Sequence, residues 1–168
     1  MLAGSCSAAT LQQIEEFQSS GGKSIKMDPI ELVEGALTKE DIWKQIESIN
    51  EDAVLVCSSD KPENVKKAQE AGMEKVSEML EQTTAYIAKN AEKSGANRII
   101  LAGGETSGAV TRILGYDSYL VGESIAPGVP VMVPLKNKDL RLVLISGNFG
   151  QEDFFLRAVD ITKDDTNV

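Results

Sequence analysis

Arg98-Ile99-Ile100-Leu101-Ala102-Gly103-Gly104-Glu105-Thr106-Ser107-Gly108-Ala109-Val110 is the stretch that decides the fold of this chain. Ile99 to Ala102 is a short uncharged apolar run of the kind that forms a buried strand. Gly103 to Gly108 break it with small and hydroxyl-bearing residues. Ala109, Val110, Ile113 and Leu114 then return at helical spacing and stop at Gly115. A strand, a small-residue loop and a helix start make a common anion cradle, because the first N–H groups of a helix lack internal partners and the helix dipole is positive there. Glycine lets a phosphate approach the backbone closely. The same residues also fit a plain glycine turn in which Thr106 or Ser107 caps the helix.

The pattern recurs on both sides of this stretch. Gly4-Ser5-Cys6-Ser7-Ala8-Ala9-Thr10 follows Met1-Leu2-Ala3 and precedes Leu11, Ile14 and Phe17 at helical spacing. Ser146-Gly147-Asn148-Phe149-Gly150 follows the strand-like Leu140–Ile145 and precedes a helix with Phe154, Phe155, Ala158 and Val159. Asp153 is expected in the first turn of that helix, where the dipole favours a carboxylate. Strands separated by helices predict an α/β fold, with a mainly parallel central sheet and helices on both faces. In such sheets the loops after the strands gather at the carboxyl edge, where ligands bind. The three loops offer N–H and O–H donors suited to phosphates and riboses. None has the Gly-x-Gly-x-x-Gly spacing of a dinucleotide fold.

Between these loops the chain alternates in the same way. Ser19–Ser24 contains Gly22-Lys23-Ser24, but a P-loop needs a glycine five positions before the Gly-Lys pair, and Phe17 stands there. The stretch reads as a glycine turn ending a helix. Ile25 and Met27 predict a brief strand ended near Pro29. Thr38-Lys39-Glu40-Asp41 resembles a capping box and opens a helix with Ile42, Trp43, Ile46 and Ile49. Ala53–Cys57 is an uncharged, β-branched strand. Ser58–Pro62 reads as a turn, followed by a long helical stretch to about Lys93. Met73, Val76, Leu80, Thr83, Ile87 and Ala91 form one stripe on it. Met73 and Met79 are expected to fill the core. Tyr119–Ile125 and Val131–Val133 flank Ala126–Pro130 and predict an antiparallel hairpin near residues 119–134. The tail from Lys163 to Val168 reads as frayed.

Composition narrows the chemistry. A length of 168 residues suits one domain (1–168) with one core. The formal net charge of −9 argues against nucleic acid, which favours a basic face, and makes any phosphate site a local arrangement of amides, hydroxyls and a metal ion. There is no histidine, which removes histidine triads, ligands and acid–base catalysts. No apolar run is long enough to span a membrane. Cys6 and Cys57 lack metal spacing and read as reduced thiols of a cytoplasmic protein.

Taken together and in order, Gly-Ser-Cys-Ser-Ala-Ala-Thr at 4–10, Gly-Gly-Glu-Thr-Ser-Gly-Ala-Val at 103–110, Ala-Pro-Gly-Val-Pro at 126–130 and Ser-Gly-Asn-Phe-Gly at 146–150 resemble the nucleotide-binding C-terminal domain of the four-carbon acid sugar kinases. The resemblance covers essentially the whole chain. It implies ATP-dependent phosphorylation of a tetronate or 3-oxo-tetronate, with the acid-sugar substrate held by a separate N-terminal domain that this sequence lacks. The abrupt start at Met1-Leu2-Ala3 fits a missing upstream part. Carried over by position, the nucleotide contacts would be Ser5 or Ser7, then Gly103, Gly104, Glu105 and Thr106, then Ser146, Gly147 and Asn148. Glu105 would orient Mg²⁺ through water, as Mg²⁺ keeps much of its hydration shell; its other reading is a carboxylate serving the helix dipole. No general base for the acceptor hydroxyl stands out. Alternatives are a non-catalytic module binding a nucleotide or sugar phosphate, and a structural role in which the glycine loops are only turns. Surface left by a missing domain favours a homo-oligomer.

Overall fold

The computed structural model describes residues 1–58 and 72–163. Seven strands form one sheet in the order β2-β3-β1-β4-β7-β6-β5. They are β1 (Leu2–Ala3), β2 (Lys23–Lys26), β3 (Val54–Cys57), β4 (Arg98–Ala102), β5 (Tyr119–Ala126), β6 (Val129–Pro134) and β7 (Arg141–Ile145). Neighbours from β2 to β7 pair parallel. β6 joins β7 antiparallel, and β5 joins β6 as the expected hairpin. Its turn is tighter than the sequence suggested. β5 runs through Ala126 and β6 starts at Val129, so only Pro127 and Gly128 connect them, with Gly128 at φ 77°.

The described helices are α1 (Ala8–Ser19), α2 (Pro29–Glu34), α3 (Lys39–Ser48), α4 (Met73–Lys93), α5 (Gly104–Leu114) and α6 (Phe154–Ile161). They cover both faces, because the inner parallel strands β1, β3, β4 and β7 are apolar on both sides. Along β4, Ile100 and Ala102 face one core, with Ile14 and Phe17 of α1 and Phe154, Phe155 and Ala158 of α6. Ile99 and Leu101 face the other, with Leu32 of α2, Ile42 of α3, Ile87 of α4 and Val110 of α5. This is the two-residue period of a strand read from two sides.

Local signals set the element ends. Thr38 and Asp41 form a reciprocal capping box: the Asp41 N–H donates to Thr38 Oγ1 at 3.1 Å, and the Thr38 N–H donates to Asp41 Oδ2 at 3.2 Å. Gly115 closes α5 in the left-handed conformation, at φ 71°. The Gly22-Lys23-Ser24 segment leaves α1 through a turn, with Gly21 at φ 88°, and enters β2. It is no phosphate loop.

Three expectations change. Met73 is 60% exposed at the first residue of α4 and fills no core, whereas Met79, two turns later, packs against one. Asp153 is the N-cap of α6 rather than a first-turn residue, because the helix begins at Phe154, and its side chain makes no cap hydrogen bond. α2 arises where only a strand end was expected: Asp28 caps it, its side chain accepting from the Ile30 N–H at 2.8 Å, and Pro29 takes the first turn, where its missing N–H costs nothing. Most of the Ser58–Pro62 turn, the stretch before Met73 and the tail beyond Lys163 lie outside the described residues.

Candidate functional site: three loops at the carboxyl edge

Register brings the three loops together. Ala3 pairs with Ala102, and Ala102 with Ile145. The strands therefore end level, and Gly4, Gly103 and Ser146 leave the sheet side by side. The N–H groups of Gly4 and Ser5 both donate to the Ala102 carbonyl, at 2.9 and 3.2 Å, and the Gly103 N–H donates to the Ile145 carbonyl at 2.9 Å. From here α1 turns to one face of the sheet and α5 to the other. Adjacent strands whose helices leave on opposite faces open a crevice between them, which is where ligands sit in folds of this kind.

The loops interlock too tightly for most side chains. A Cβ at Gly4 would run into Thr106 Oγ1, and Ser58 Oγ would lie 3.7 Å away. A Cβ at Gly103 would lie 3.0 Å from the main-chain nitrogen of Ser5, and Gly103 sits at φ 123°. One at Gly147 would run into Ser5 Oγ and lie 3.1 Å from both Ser5 Cβ and Ser7 Oγ. Ser7 is the N-cap of α1, its Oγ accepting from the Thr10 N–H at 3.1 Å. The same hydroxyl donates to the Gly147 carbonyl, and Thr10 Oγ1 lies 3.4 Å from that carbonyl. Ser5 Oγ accepts from the Ser7 N–H at 3.3 Å. The first and third loops are thus joined by hydroxyls, and the first and second by glycine contact.

This arrangement corrects the reading of Thr106 or Ser107 as a cap. The N-cap of α5 is Gly103, and no side chain caps the helix. Thr106 is buried, with its hydroxyl turned against Gly4. The helix start therefore faces the crevice bare. Gly104 and Glu105 are exposed, and a Cβ at Gly104 would meet nothing within 4 Å. Ser146 and Asn148 are exposed at the third loop, and Gly147 is half-buried. Of the expected contact residues, Gly104, Glu105, Ser146 and Asn148 line open space. Ser7 and Thr106 are engaged in holding loops together.

Two further hydroxyls and one amide belong to the site. Ser58, buried at the end of β3, stands beside Gly4. Thr10 is buried on α1. Gln13, only 1% exposed, donates its Nε2 to the Phe149 carbonyl at 2.9 Å. The signal for the α1 pair was present: Thr10, Gln13 and Phe17 fall on one helical stripe, so the glutamine sits where an apolar residue is expected. Ser58 carries the same signal as Gly4 and Gly103, since it is the first residue after a strand.

Away from the crevice, at the amino edge, burial lowers the pKa of the Met1 amine from 8.0 to about 5. Among the described residues no group of three or more Cys, Asp or Glu side chains is placed to hold a metal. Nor is any described helix long and apolar enough to cross a membrane. What the crevice offers is aligned main-chain N–H groups with hydroxyls around them, a donor set for an anion with many oxygens.

The family described as "Nucleotide-binding C-terminal domain" matches residues 1–155, a span that contains all three loops. The chain belongs to this family. It is 39% identical over 160 residues to a 3-oxo-tetronate kinase of Cupriavidus necator, and 38% identical over 164 residues to one of Burkholderia multivorans. Each alignment covers 95% of the chain. The chain spans 37% and 38% of those relatives' lengths. A crystal structure of a Haemophilus influenzae protein superposes with a TM-score of 0.89 at 32% identity, covering 96% of this chain and 39% of that one. A Bordetella bronchiseptica domain shares the fold at 20% identity, with a TM-score of 0.72, covering 95% of this chain and 40% of that one.

Proposed function

We propose that the domain binds ATP across the carboxyl edge of its sheet, as the nucleotide half of a kinase acting on a four-carbon acid sugar. The bare start of α5 in the crevice between β1 and β4 carries this reading. There the N–H groups of Gly104, Glu105 and Thr106 point away from any side-chain cap, and Gly104 leaves room for a phosphate. Gly147 and the exposed Ser146 and Asn148 add donors from the third loop. Ser7, Thr10 and Thr106 hold the loops at their spacing, while Ser5 stands between the first and third. Glu105, in the first turn of α5, is placed to accept from water on a Mg²⁺ ion that arrives with the triphosphate; a single carboxylate suits an ion that keeps most of its water.

The names of the relatives supply the substrate class, a 3-oxo-tetronate. Because the chain spans little more than a third of those proteins, the acid-sugar site and the base that accepts the hydroxyl proton are assigned to the part it does not match. Phosphoryl transfer depends mainly on positioning and charge stabilisation, so a nucleotide half built from amides and lacking histidine is adequate to its task. Calorimetry with ATP and Mg²⁺ tests the site. Wild type is expected to bind and Gly104→Val to lose binding, since the valine fills the open space. Equal affinity would refute the site. ATP turnover that appears only when this chain is mixed with a separately made sugar-binding domain, and acid sugar is present, would support the kinase assignment. No turnover in the mixture would count against it.

A further inference from the structure

The third loop carries an aromatic ring that the fold does not use. Of four phenylalanines in the chain, Phe17, Phe154 and Phe155 are buried and Phe149 is 51% exposed. An exposed phenylalanine on a frayed loop would mean little. The main chain of this one is held in place. Its N–H donates to the Ser146 carbonyl at 3.0 Å, and its carbonyl accepts from the buried Gln13 amide at 2.9 Å. Two residues before it, the Gly147 carbonyl accepts from Ser7. One residue after it, Gly150 sits at φ 81° so close to α6 that a Cβ would lie 2.8 Å from the Phe154 ring. Main-chain restraint at Gly147, Phe149 and Gly150 holds the loop that presents an apolar ring to solvent, beside the loops that converge on the crevice.

We infer that Phe149 is the stacking platform for the nucleotide base, and that Gln13 is the positioning residue that fixes its main chain. This rests on the reading of the crevice as a nucleotide site and deepens it. Amides and hydroxyls recognise phosphates and ribose hydroxyls, but none of them offers a planar apolar surface. An aromatic side chain does, and stacking on a base is tolerant of sequence because every base has a π-face. A loop whose main chain is already held in place loses little entropy when a base covers the ring it carries. The platform therefore raises the affinity of a nucleoside triphosphate over that of bare tripolyphosphate without choosing strongly between adenine and guanine.

The test compares ATP with inorganic tripolyphosphate, each with Mg²⁺, by calorimetry on the full chain. Phe149→Leu keeps an apolar side chain at an exposed position, so folding is preserved, and equal urea midpoints check this. Its ATP affinity is expected to fall about tenfold, within the range of one stacked base. Its tripolyphosphate affinity is expected to stay within twofold of wild type, and Phe149→Tyr is expected to bind ATP like wild type. Phe149→Trp adds a direct readout: ATP quenches the new indole and tripolyphosphate does not, while Trp43 lies at the opposite edge beside Met1 and Val54. Unchanged ATP affinity in Phe149→Leu, or an equal loss for both ligands, overturns the platform and leaves the nucleotide site standing. Wild type that binds neither ligand overturns both.

Discussion

Gly103 and Gly104 are adjacent in sequence and oppositely constrained, so the same substitution at each should act on different properties. At Gly103 an alanine must adopt φ near 123° with its methyl 3.0 Å from the main-chain nitrogen of Ser5, an atom that cannot rotate away. Backbone strain of that kind costs about 1–3 kcal/mol, and crowding in a well-packed place adds about 1 kcal/mol or more, so Gly103→Ala is expected to destabilise by about 2–4 kcal/mol. For a chain of this size that lowers Tm by roughly 5–15 °C. At Gly104 the methyl meets nothing within 4 Å at the first residue of a helix. There alanine restricts the unfolded chain without strain, and stability is expected to stay level or rise by about 0.4–1 kcal/mol. The same methyl enters the space assigned to a phosphate, so MgATP affinity is expected to drop about tenfold or more, equivalent to about 1.4 kcal/mol. Urea unfolding followed by circular dichroism gives the first pair of numbers and calorimetry the second. A Gly103→Ala variant within 0.5 kcal/mol of wild type would refute the interlock. A Gly104→Ala variant that binds MgATP like wild type would refute the open cradle.

Two further outcomes follow from the packing. Gln13→Leu removes the side-chain donor on the Phe149 carbonyl and should cost about 1–3 kcal/mol in urea unfolding, with Gln13→Glu no better because a carboxylate cannot donate; wild-type stability in both would show that the amide does not hold the loop. The Met1 amine donates to the Val54 carbonyl at 2.7 Å, and burial, with Arg98 adding to it, lowers its pKa from 8.0 to about 5. Between pH 8 and pH 5 the unfolded chain takes up a proton that the folded chain resists, so stability should fall as pH drops through that window, by up to about 4 kcal/mol, and level off below it. Acetylating the amine of the purified polypeptide should flatten that dependence, and an unchanged slope would contradict it.

The parallel sheet was legible because its inner strands β1, β3, β4 and β7 are apolar on both faces and each is followed at once by a glycine or serine. Ala53–Cys57, Ile99–Ala102 and Leu140–Ile145 are strong signals for three of the five parallel strands, Met1–Ala3 and Ile25–Met27 are shorter signals for the other two, and the spacing of the loops implied a shared edge. The sequence could not show how the loops engage. Ser7 looks like a ligand donor and acts as a fastener because Gly147, 140 positions away, passes over it. Thr106 looks like a cap and is turned against Gly4, because Gly103 already supplies the start of the helix. Met73 fits the apolar stripe of α4, yet a stripe says nothing about where the neighbouring elements stop, and this residue lies past their cover. Asp28-Pro29-Ile30-Glu31 is a good helix start and opens α2, but a proline also ends a strand, and both roles fit Pro29 in the sequence.

The central claim is that Gly4–Ser7, Gly103–Thr106 and Ser146–Asn148 surround one triphosphate. Titrating isotopically labelled protein with MgATP while recording amide chemical shifts reads this most directly. The expected result is that amides of all three segments move together and saturate with one affinity, with the largest changes at Gly104 and Glu105. Saturable shifts confined to one segment, or gathered at the amino edge around Trp43 and Arg98, would contradict it.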